Sequence, residues 1–116
     1  MPAYRLDTFV VPLTVRDTFV ARVLETHEVL RRQPGFVRDA LMEMPDGSEA
    51  VRIATLAEWE DERSMGPAGD AVHALRERTG FDPIAFIRSN GVEADFRVYA
   101  PLDERQQEAE AEPSTP

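Results

Sequence analysis

The chain is 116 residues long, which suits one domain with a single hydrophobic core. It has 13 arginines, no lysine and 22 acidic residues, so its net charge is −9, and so acidic a chain lacks the basic surface that nucleic-acid binding needs. No apolar run approaches the roughly 20 residues of a membrane-spanning helix, and no leader-like segment precedes the patterned sequence. Cysteine is absent, which excludes disulfides and thiolate metal sites. We therefore expect a cytoplasmic protein without membrane contact.

The C-terminal residues 103–116 differ in composition from the rest of the chain. They contain five acidic residues, Arg105 and no aliphatic side chain larger than alanine. Because such a segment cannot bury apolar surface, we expect a solvated, mostly disordered acidic tail. The folded domain is predicted to occupy residues 1–102.

The remaining sequence alternates between strand-like and helix-like patterns. Runs of β-branched and aromatic residues indicate strands, and an Asp-Gly step at 46–47 indicates a hairpin. Thr14 and Asp17 form a capping-box pattern at a helix start, and Asp82 before Pro83 marks another. In chain order we predict a strand at 4–12, a helix at 14–32, strands at 36–44 and 49–59, a helix at 62–79 interrupted at 66–67, a short helix at 83–90 and a strand at 92–100.

This order of elements is that of the split βαβ, ferredoxin-like arrangement, in the α+β class. We expect a four-stranded antiparallel sheet with the helices on one face. In the usual topology the first strand lies between the third and the fourth.

The alternation of side chains assigns residues to the two sheet faces. Phe9, Val11, Leu41 and Leu56 would form an apolar patch on the face away from the helices, beside a ladder of charges that includes Asp7. Such a patch favours a homodimer that stacks this face on its copy, although a monomer with a half-polar face stays open. The face predicted to pack on the helices comprises Leu6, Thr8, Val10, Val51, Ile53, Thr55, Ala57, Trp59, Phe96 and Val98.

Several local motifs resemble the antibiotic biosynthesis monooxygenase family of the dimeric α+β barrel superfamily. They are Phe19 in the first helix, the sequence Gln-Pro-Gly-Phe at 33–36, Trp59 at a strand end and the acidic helix start at 60–62, and the resemblance covers about residues 4–102. It implies a ferredoxin-like half-barrel that dimerises. Members include cofactor-independent oxygenases that convert polyketide anthrones to quinones, and haem-degrading enzymes. The superfamily also includes polyketide cyclases and isomerases, so fold alone does not choose the activity.

The haem-degrading subgroup fits this chain poorly. That subgroup uses an Asn on the first strand and a His on the second helix beside the Trp. The only Asn here is Asn90, at a predicted helix end, although Trp59 and His73 are present. The resemblance therefore favours the cofactor-independent oxygenases.

Three residues are candidates for catalysis. Trp59 stands where the resemblance implies a pocket Trp, and core packing is its alternative role. His73 suits removal of a proton from a phenol or an activated carbon, but Asp70 and Glu77 lie one helical turn away and favour a surface ion pair. His27 lies in the apolar stripe of the first helix, where a hydrogen-bonded wall histidine is the simpler role.

A flat aromatic substrate would bind between the helices and the sheet. Phe9, Phe86 and Phe96 are the candidate walls, and Arg88 on the short helix would steer an anionic group. No glycine-rich phosphate loop and no cluster of metal ligands is visible, so neither a cofactor nor a metal is predicted.

The sequence thus predicts a small dimeric protein that acts as a cofactor-independent monooxygenase on an aromatic, polyketide-type anthrone or phenol. A polyketide cyclase or isomerase would use the same pocket and base. A third hypothesis is that the chain is a non-catalytic ligand-binding or accessory protein.

Overall fold

A computed structural model describes residues 1–102, so the predicted tail at 103–116 lies outside the described residues. The elements are β1 (Ala3–Pro12), α1 (Arg16–Leu30), β2 (Phe36–Asp46), β3 (Ala50–Trp59), α2 (Met65–Thr79), α3 (Pro83–Ser89) and β4 (Glu93–Tyr99).

The four strands form one antiparallel sheet in the order β2-β3-β1-β4. The two central strands, β1 and β3, pair over the full length of both, from Ala3 opposite Trp59 to Pro12 opposite Ala50. The α+β ferredoxin-like fold is confirmed, with β1 between β3 and β4 as predicted.

Two of the predicted turn and cap signals form as expected. Asp46 pairs with Ala50 across the hairpin, and Gly47 takes the left-handed conformation with φ +73° that its turn requires. At the start of α3 the Asp82 carboxylate accepts hydrogen bonds from the backbone N–H groups of Ile84 and Ala85, both at 3.1 Å. These side chains therefore fix their local backbone as the sequence indicates.

Two other local predictions are wrong. Thr14 does not cap α1, because Thr14 lies within a short 3-10 turn at Leu13–Val15 that precedes the helix. The N-cap residue of α1 is Val15, which makes no side-chain hydrogen bond. The helix is also not interrupted at Gly66-Pro67, since α2 runs through both residues. Pro67 lies in the first turn of α2, where its missing N–H would have no partner in the helix.

Gly35 lies where the chain leaves α1 and enters β2. It has φ +84°, and a Cβ atom there would collide with the Ser64 side chain. Its carbonyl accepts a 2.8 Å hydrogen bond from the backbone N–H of Glu60. The Pro-Gly-Phe sequence therefore joins the start of β2 to the segment that leads into α2.

The predicted assignment of the two sheet faces is wrong for β1 and β2. Phe9 and Val11 lie opposite Ile53 and Val51, so they face the helices and are buried in the core. The apolar patch predicted from these residues does not exist, because Leu41 also lies on the helix side, opposite Thr55. The face away from the helices is formed by Tyr4, Leu6, Thr8, Val10, Arg38, Ala40, Met42, Met44, Arg52, Ala54, Leu56, Glu58, Glu93, Asp95, Arg97 and Tyr99.

The helices do not cover the whole sheet. Every residue of β4 is exposed, including Phe96 and Val98 on the helix side, which are 47% and 52% exposed. The core instead forms two clusters under the other strands: one around Phe9, Phe19 and Ile53, packed by α1 and α3, and one around Trp59 and Ala68, where α2 packs on the sheet. The β4 edge of the sheet is therefore largely exposed to solvent on both faces.

Candidate functional site

A cavity of about 300 Å³ lies between the sheet and the three helices. Phe9 and Phe19 meet edge to face with their ring centroids 4.8 Å apart, and Phe86 lies 6.1 Å from Phe19 on the α3 side. The three predicted substrate-binding phenylalanines, Phe9, Phe86 and Phe96, all line this cavity. Such walls suit a flat aromatic molecule, because offset and edge-to-face ring contacts are favourable there. The complete aromatic lining is Phe9, Phe19, Phe81, Phe86 and Phe96.

His27 on α1 forms part of the cavity wall and is only 5% exposed. Its Nδ1 is 2.9 Å from a carboxylate oxygen of Asp39 on β2. The same oxygen accepts a 2.8 Å hydrogen bond from Nε of Arg31. Burial alone would raise the pKa of Asp39, but the hydrogen bonds from Arg31 and His27 outweigh burial and lower it. Asp39 is therefore a carboxylate at neutral pH.

The ionised Asp39 determines which nitrogen of a neutral His27 carries the proton. A carboxylate only accepts hydrogen bonds, so Nδ1 must be the protonated nitrogen and Nε2 keeps its lone pair. Nε2 has no hydrogen-bond partner within residues 1–102, and no fully buried side-chain polar atom there lacks one, so Nε2 keeps contact with solvent. The arrangement is that of a buried, oriented base at a cavity wall.

Asp7 on β1 is the carboxylate inside the cavity. It lies on the helix-facing side of the sheet, opposite Thr55 and Phe96, rather than in the charge ladder predicted on the other face. Burial raises the pKa of Asp7, although Nε of Arg5 donates a 2.6 Å hydrogen bond to it. A mostly apolar cavity thus contains a carboxyl whose ionisation is disfavoured.

A second cavity of about 230 Å³ adjoins the first and has Trp59 in its wall. The indole is 2% exposed, and Phe36 packs edge-on against it at 5.6 Å between ring centroids. Trp59 therefore packs in the core and lines a cavity at once. The two cavities share Arg5, Asp7, Thr26 and Arg76.

The other two predicted site residues lie elsewhere. His73 is on the solvent side of α2, with its side chain 72% exposed and its Nε2 3.1 Å from Glu77. Arg88 on α3 is exposed and lines neither the larger cavity, which contains His27, nor the adjoining cavity, which contains Trp59. The structure thus brings His27 together with the phenylalanines, places Trp59 next door, and leaves His73 and Arg88 outside.

Sequence reasoning missed five charged residues of this site: Arg5, Asp7, Arg22, Asp39 and Arg76. The error in strand phase moved three of them to the wrong face of the sheet. A signal was available, since Asp39 follows His27 by 12 positions across a helix–strand turn that brings the two segments side by side. A second signal was the charge of Arg5 and Asp7 on a central strand, because charged side chains there must be paired with each other or reach solvent.

The described residues hold neither a candidate metal site nor a membrane-spanning helix. No group of three or more His, Asp or Glu side chains in residues 1–102 is placed to hold a metal ion. None of the helices there combines the length and apolar character needed to cross a membrane. The cytoplasmic location remains a prediction.

Comparisons with known proteins bear on the fold. No protein-family profile and no curated protein matches the chain in sequence. Among solved structures, SnoaB, a cofactor-independent oxygenase from Streptomyces nogalater, matches with a TM-score of 0.62 at 17% identity, over 89% of this chain and 96% of its own. A candidate antibiotic biosynthesis monooxygenase from Nitrosomonas europaea matches with a TM-score of 0.61 at 13% identity, over 87% and 90%. The chain has the fold of antibiotic biosynthesis monooxygenases, as the resemblance implied.

A third match shows that similarity of fold does not determine the activity. The designed protein Foldit4 matches with a TM-score of 0.60 at 14% identity, over 88% of this chain and all of its own. A designed chain and natural oxygenases thus resemble this protein about equally in shape. The activity must therefore be argued from the side chains of the site.

Proposed function

We propose that this protein is a cofactor-independent monooxygenase that oxidises an aromatic anthrone or phenol of polyketide type, with His27 as the general base. The observation that carries the proposal is the His27–Asp39 pair in the wall of the phenylalanine-lined cavity. Two features support it: a histidine oriented by a partly buried carboxylate and a cavity of aromatic size occur together here, and the fold is shared with a cofactor-independent oxygenase.

The reaction begins with transfer of a proton from the acidic methylene or phenol of the substrate to Nε2 of His27. The histidine becomes an imidazolium, and the Asp39 carboxylate stabilises its charge. The substrate carbanion then gives electrons to O₂, a carbon–oxygen bond forms, and the imidazolium of His27 returns its proton to the terminal oxygen to give a hydroperoxide. The remaining C–H proton then leaves as the O–O bond breaks, and the departing hydroxide takes up a proton and leaves as water. For the methylene of an anthrone, CH₂ plus O₂ thus becomes C=O plus H₂O. The substrate supplies all of the electrons.

The protein contributes orientation and a partly dry environment to this reaction. The rings of Phe9, Phe19 and Phe86 hold the plane of the substrate, and a low-polarity wall strengthens the interaction of the carbanion with neighbouring donors. Trp59 lies in the adjoining cavity, where it would contact a substrate longer than two rings.

Oxygen uptake with dithranol, a dihydroxyanthrone, tests the proposal. We expect uptake above the buffer rate by the wild type, a loss of about a hundredfold or more in His27→Gln, and no change in the matched control His73→Gln. Circular dichroism and urea unfolding show whether His27→Gln remains folded. No uptake above the buffer rate, or equal uptake by the folded His27→Gln variant, contradicts the proposal. Conversion of dithranol without oxygen uptake would likewise contradict an oxygenase.

We further propose that two copies stack through the open face of the sheet. Leu6, Val10 and Leu56 lie on the central strands of this face and are half-buried within one chain, while Met42 and Met44 are about half exposed. Charged pairs border the apolar centre, with Arg38 2.6 Å from Glu58 and Arg97 3.0 Å from Asp95. An apolar centre with both charge signs at its border is suited to a two-fold interface with its own copy.

Light scattering tests the dimer. We expect the wild type to have twice the mass of one chain, and Leu56→Asp to be a monomer because it places a charge at the centre of the open face. Leu24→Asp is the matched control, since Leu24 is 47% exposed on α1, away from this face. A wild-type monomer at micromolar concentration, or a dimer that survives Leu56→Asp, contradicts the stacked arrangement.

A further inference from the structure

The charges that line the site differ in sign from the charge of the whole chain. The chain has a net charge of −9, yet three guanidinium groups line the larger cavity, against the single carboxylate of Asp7. The three arginines come from different elements: Arg5 from β1, Arg22 from α1 and Arg76 from α2. Three positively charged side chains of an acidic protein thus lie at one concave surface, where apolar walls strengthen their electric field.

Two of these arginines are already engaged. Nε of Arg5 donates to Asp7 at 2.6 Å, and the Arg5 guanidinium also lies 5.3 Å from the centre of the Phe96 ring. Arg22 is 3.2 Å from Glu25 and stacks over the Phe81 ring at 4.7 Å. Both side chains are therefore held in place by a carboxylate and an aromatic ring.

Arg76 has no such partner. It forms no ion pair with any carboxylate in residues 1–102, and it lines both cavities at the place where they adjoin. Partial burial and the neighbouring charge of Arg5 lower the pKa of its guanidinium, while the Asp82 carboxylate, which is not in ion-pair contact, acts in the opposite direction. Arg76 is exposed rather than sealed in the core, so its guanidinium can be reached by an anionic group that enters either cavity from solvent.

We propose that Arg76 is an anion-binding, specificity-determining residue, and that the substrate of this site is an aromatic carboxylate. The carboxylate would lie beside Arg76 at the junction of the two cavities, with the planar five-donor guanidinium contacting both oxygens. The aromatic body would extend among the phenylalanines toward His27. This inference rests on the proposed function for the identity of the cavity as the substrate site.

Calorimetric titration of naphthoate and its neutral isostere naphthamide tests the proposal without any reaction. We expect naphthoate to bind the wild type about tenfold or more tightly than naphthamide, because a charge-assisted hydrogen bond distinguishes the two. Arg76→Gln is expected to lose this preference while still binding naphthamide. Arg76→Lys should keep part of it, since a point charge remains without the two-pronged geometry. Arg88→Gln is the control and should retain the full preference, because Arg88 lines neither cavity.

Equal affinity for the two compounds, a preference unchanged in Arg76→Gln, or no binding of either compound overturns the anion site. The outcome is separable from that of the oxygen-uptake experiment. If dithranol is oxidised through His27 while naphthoate shows no advantage, only the anion site fails. If the preference depends on Arg76 while dithranol is not oxidised, the oxygenase fails and the anion site stands.

Discussion

Each histidine of this chain lies beside a carboxylate, but the two pairs occupy very different regions. On the inner side of α1, His27 is 5% exposed, with Nδ1 2.9 Å from Asp39. On the solvent side of α2, the His73 side chain is 72% exposed, with Nε2 3.1 Å from Glu77. Where water is excluded, the contact fixes the ring and its tautomer; where water competes, the same contact contributes only a few tenths of a kcal/mol. Burial, rather than a carboxylate neighbour, separates a candidate base from a surface pair.

The largest effect is expected from Asp39→Asn, which disrupts the buried region. An asparagine amide can donate a hydrogen bond to Nδ1, and the ring then carries its proton on Nε2, where it cannot accept one from a substrate. We expect the rate of dithranol oxidation at saturating substrate to fall about a hundredfold or more. Oxygen uptake measures this rate.

Glu77→Gln is the matched control for Asp39→Asn, since it makes the same chemical change beside the exposed histidine. Its rate should equal that of the wild type. If Asp39→Asn stays folded and keeps more than about a third of the wild-type rate, the carboxylate does not set the tautomer of a catalytic His27.

Acid unfolding gives the next largest effect, because the two carboxyls of the site have opposite pKa shifts. Hydrogen bonds from Arg31 and His27 outweigh burial and lower the pKa of Asp39, so its stabilising contribution is present above its ordinary value of 3.8 and is lost as the pH falls through the folded-state value. Burial raises the pKa of Asp7, so its contribution is fully present below 3.8 and is lost as the pH rises through the raised value.

Urea unfolding at several pH values tests both signs. At neutral pH, Asp39→Asn should lower the free energy of unfolding by roughly 1–3 kcal/mol, because a partly buried carboxylate that accepts charge-assisted hydrogen bonds is replaced by a neutral amide. The deficit should shrink as the pH falls below 3.8. The wild type should instead gain stability relative to Asp7→Asn as the pH falls through the raised pKa of Asp7. The same pH trend in both variants would contradict the opposite shifts.

The two regions also differ in how far the sequence predicts them. Order and type of the elements follow from local signals such as the hairpin at Gly47 and the Asp82 cap, which act within a few residues of themselves. The exposed pair on α2 is equally local, since Glu77 follows His73 by one helical turn. A helix period alone therefore predicts that contact.

The buried region depends on which set of alternate β1 side chains faces the helices, and the alternation of polar and apolar residues could not decide this. Both sets of β1 side chains are mixed, with Leu6 and Val10 on one face and Phe9 beside charged Arg5 and Asp7 on the other. The usual rule places the charged set in water, but these charges line a cavity under the helices. Departures from local rules concentrate where a fold builds a site, and here the prediction failed at the residues of the candidate site.

The smallest effect is expected from His73→Ala, which removes the exposed pair. We expect the free energy of unfolding to change by less than about 0.5 kcal/mol in urea titrations, since a solvent-exposed pair at i and i+4 contributes little. Oxygen uptake should be unchanged. A loss of rate at wild-type stability would mean that another copy of the chain, or a movement of α2, brings His73 to the substrate. The base would then belong to the second helix, and the contrast in burial would no longer identify it.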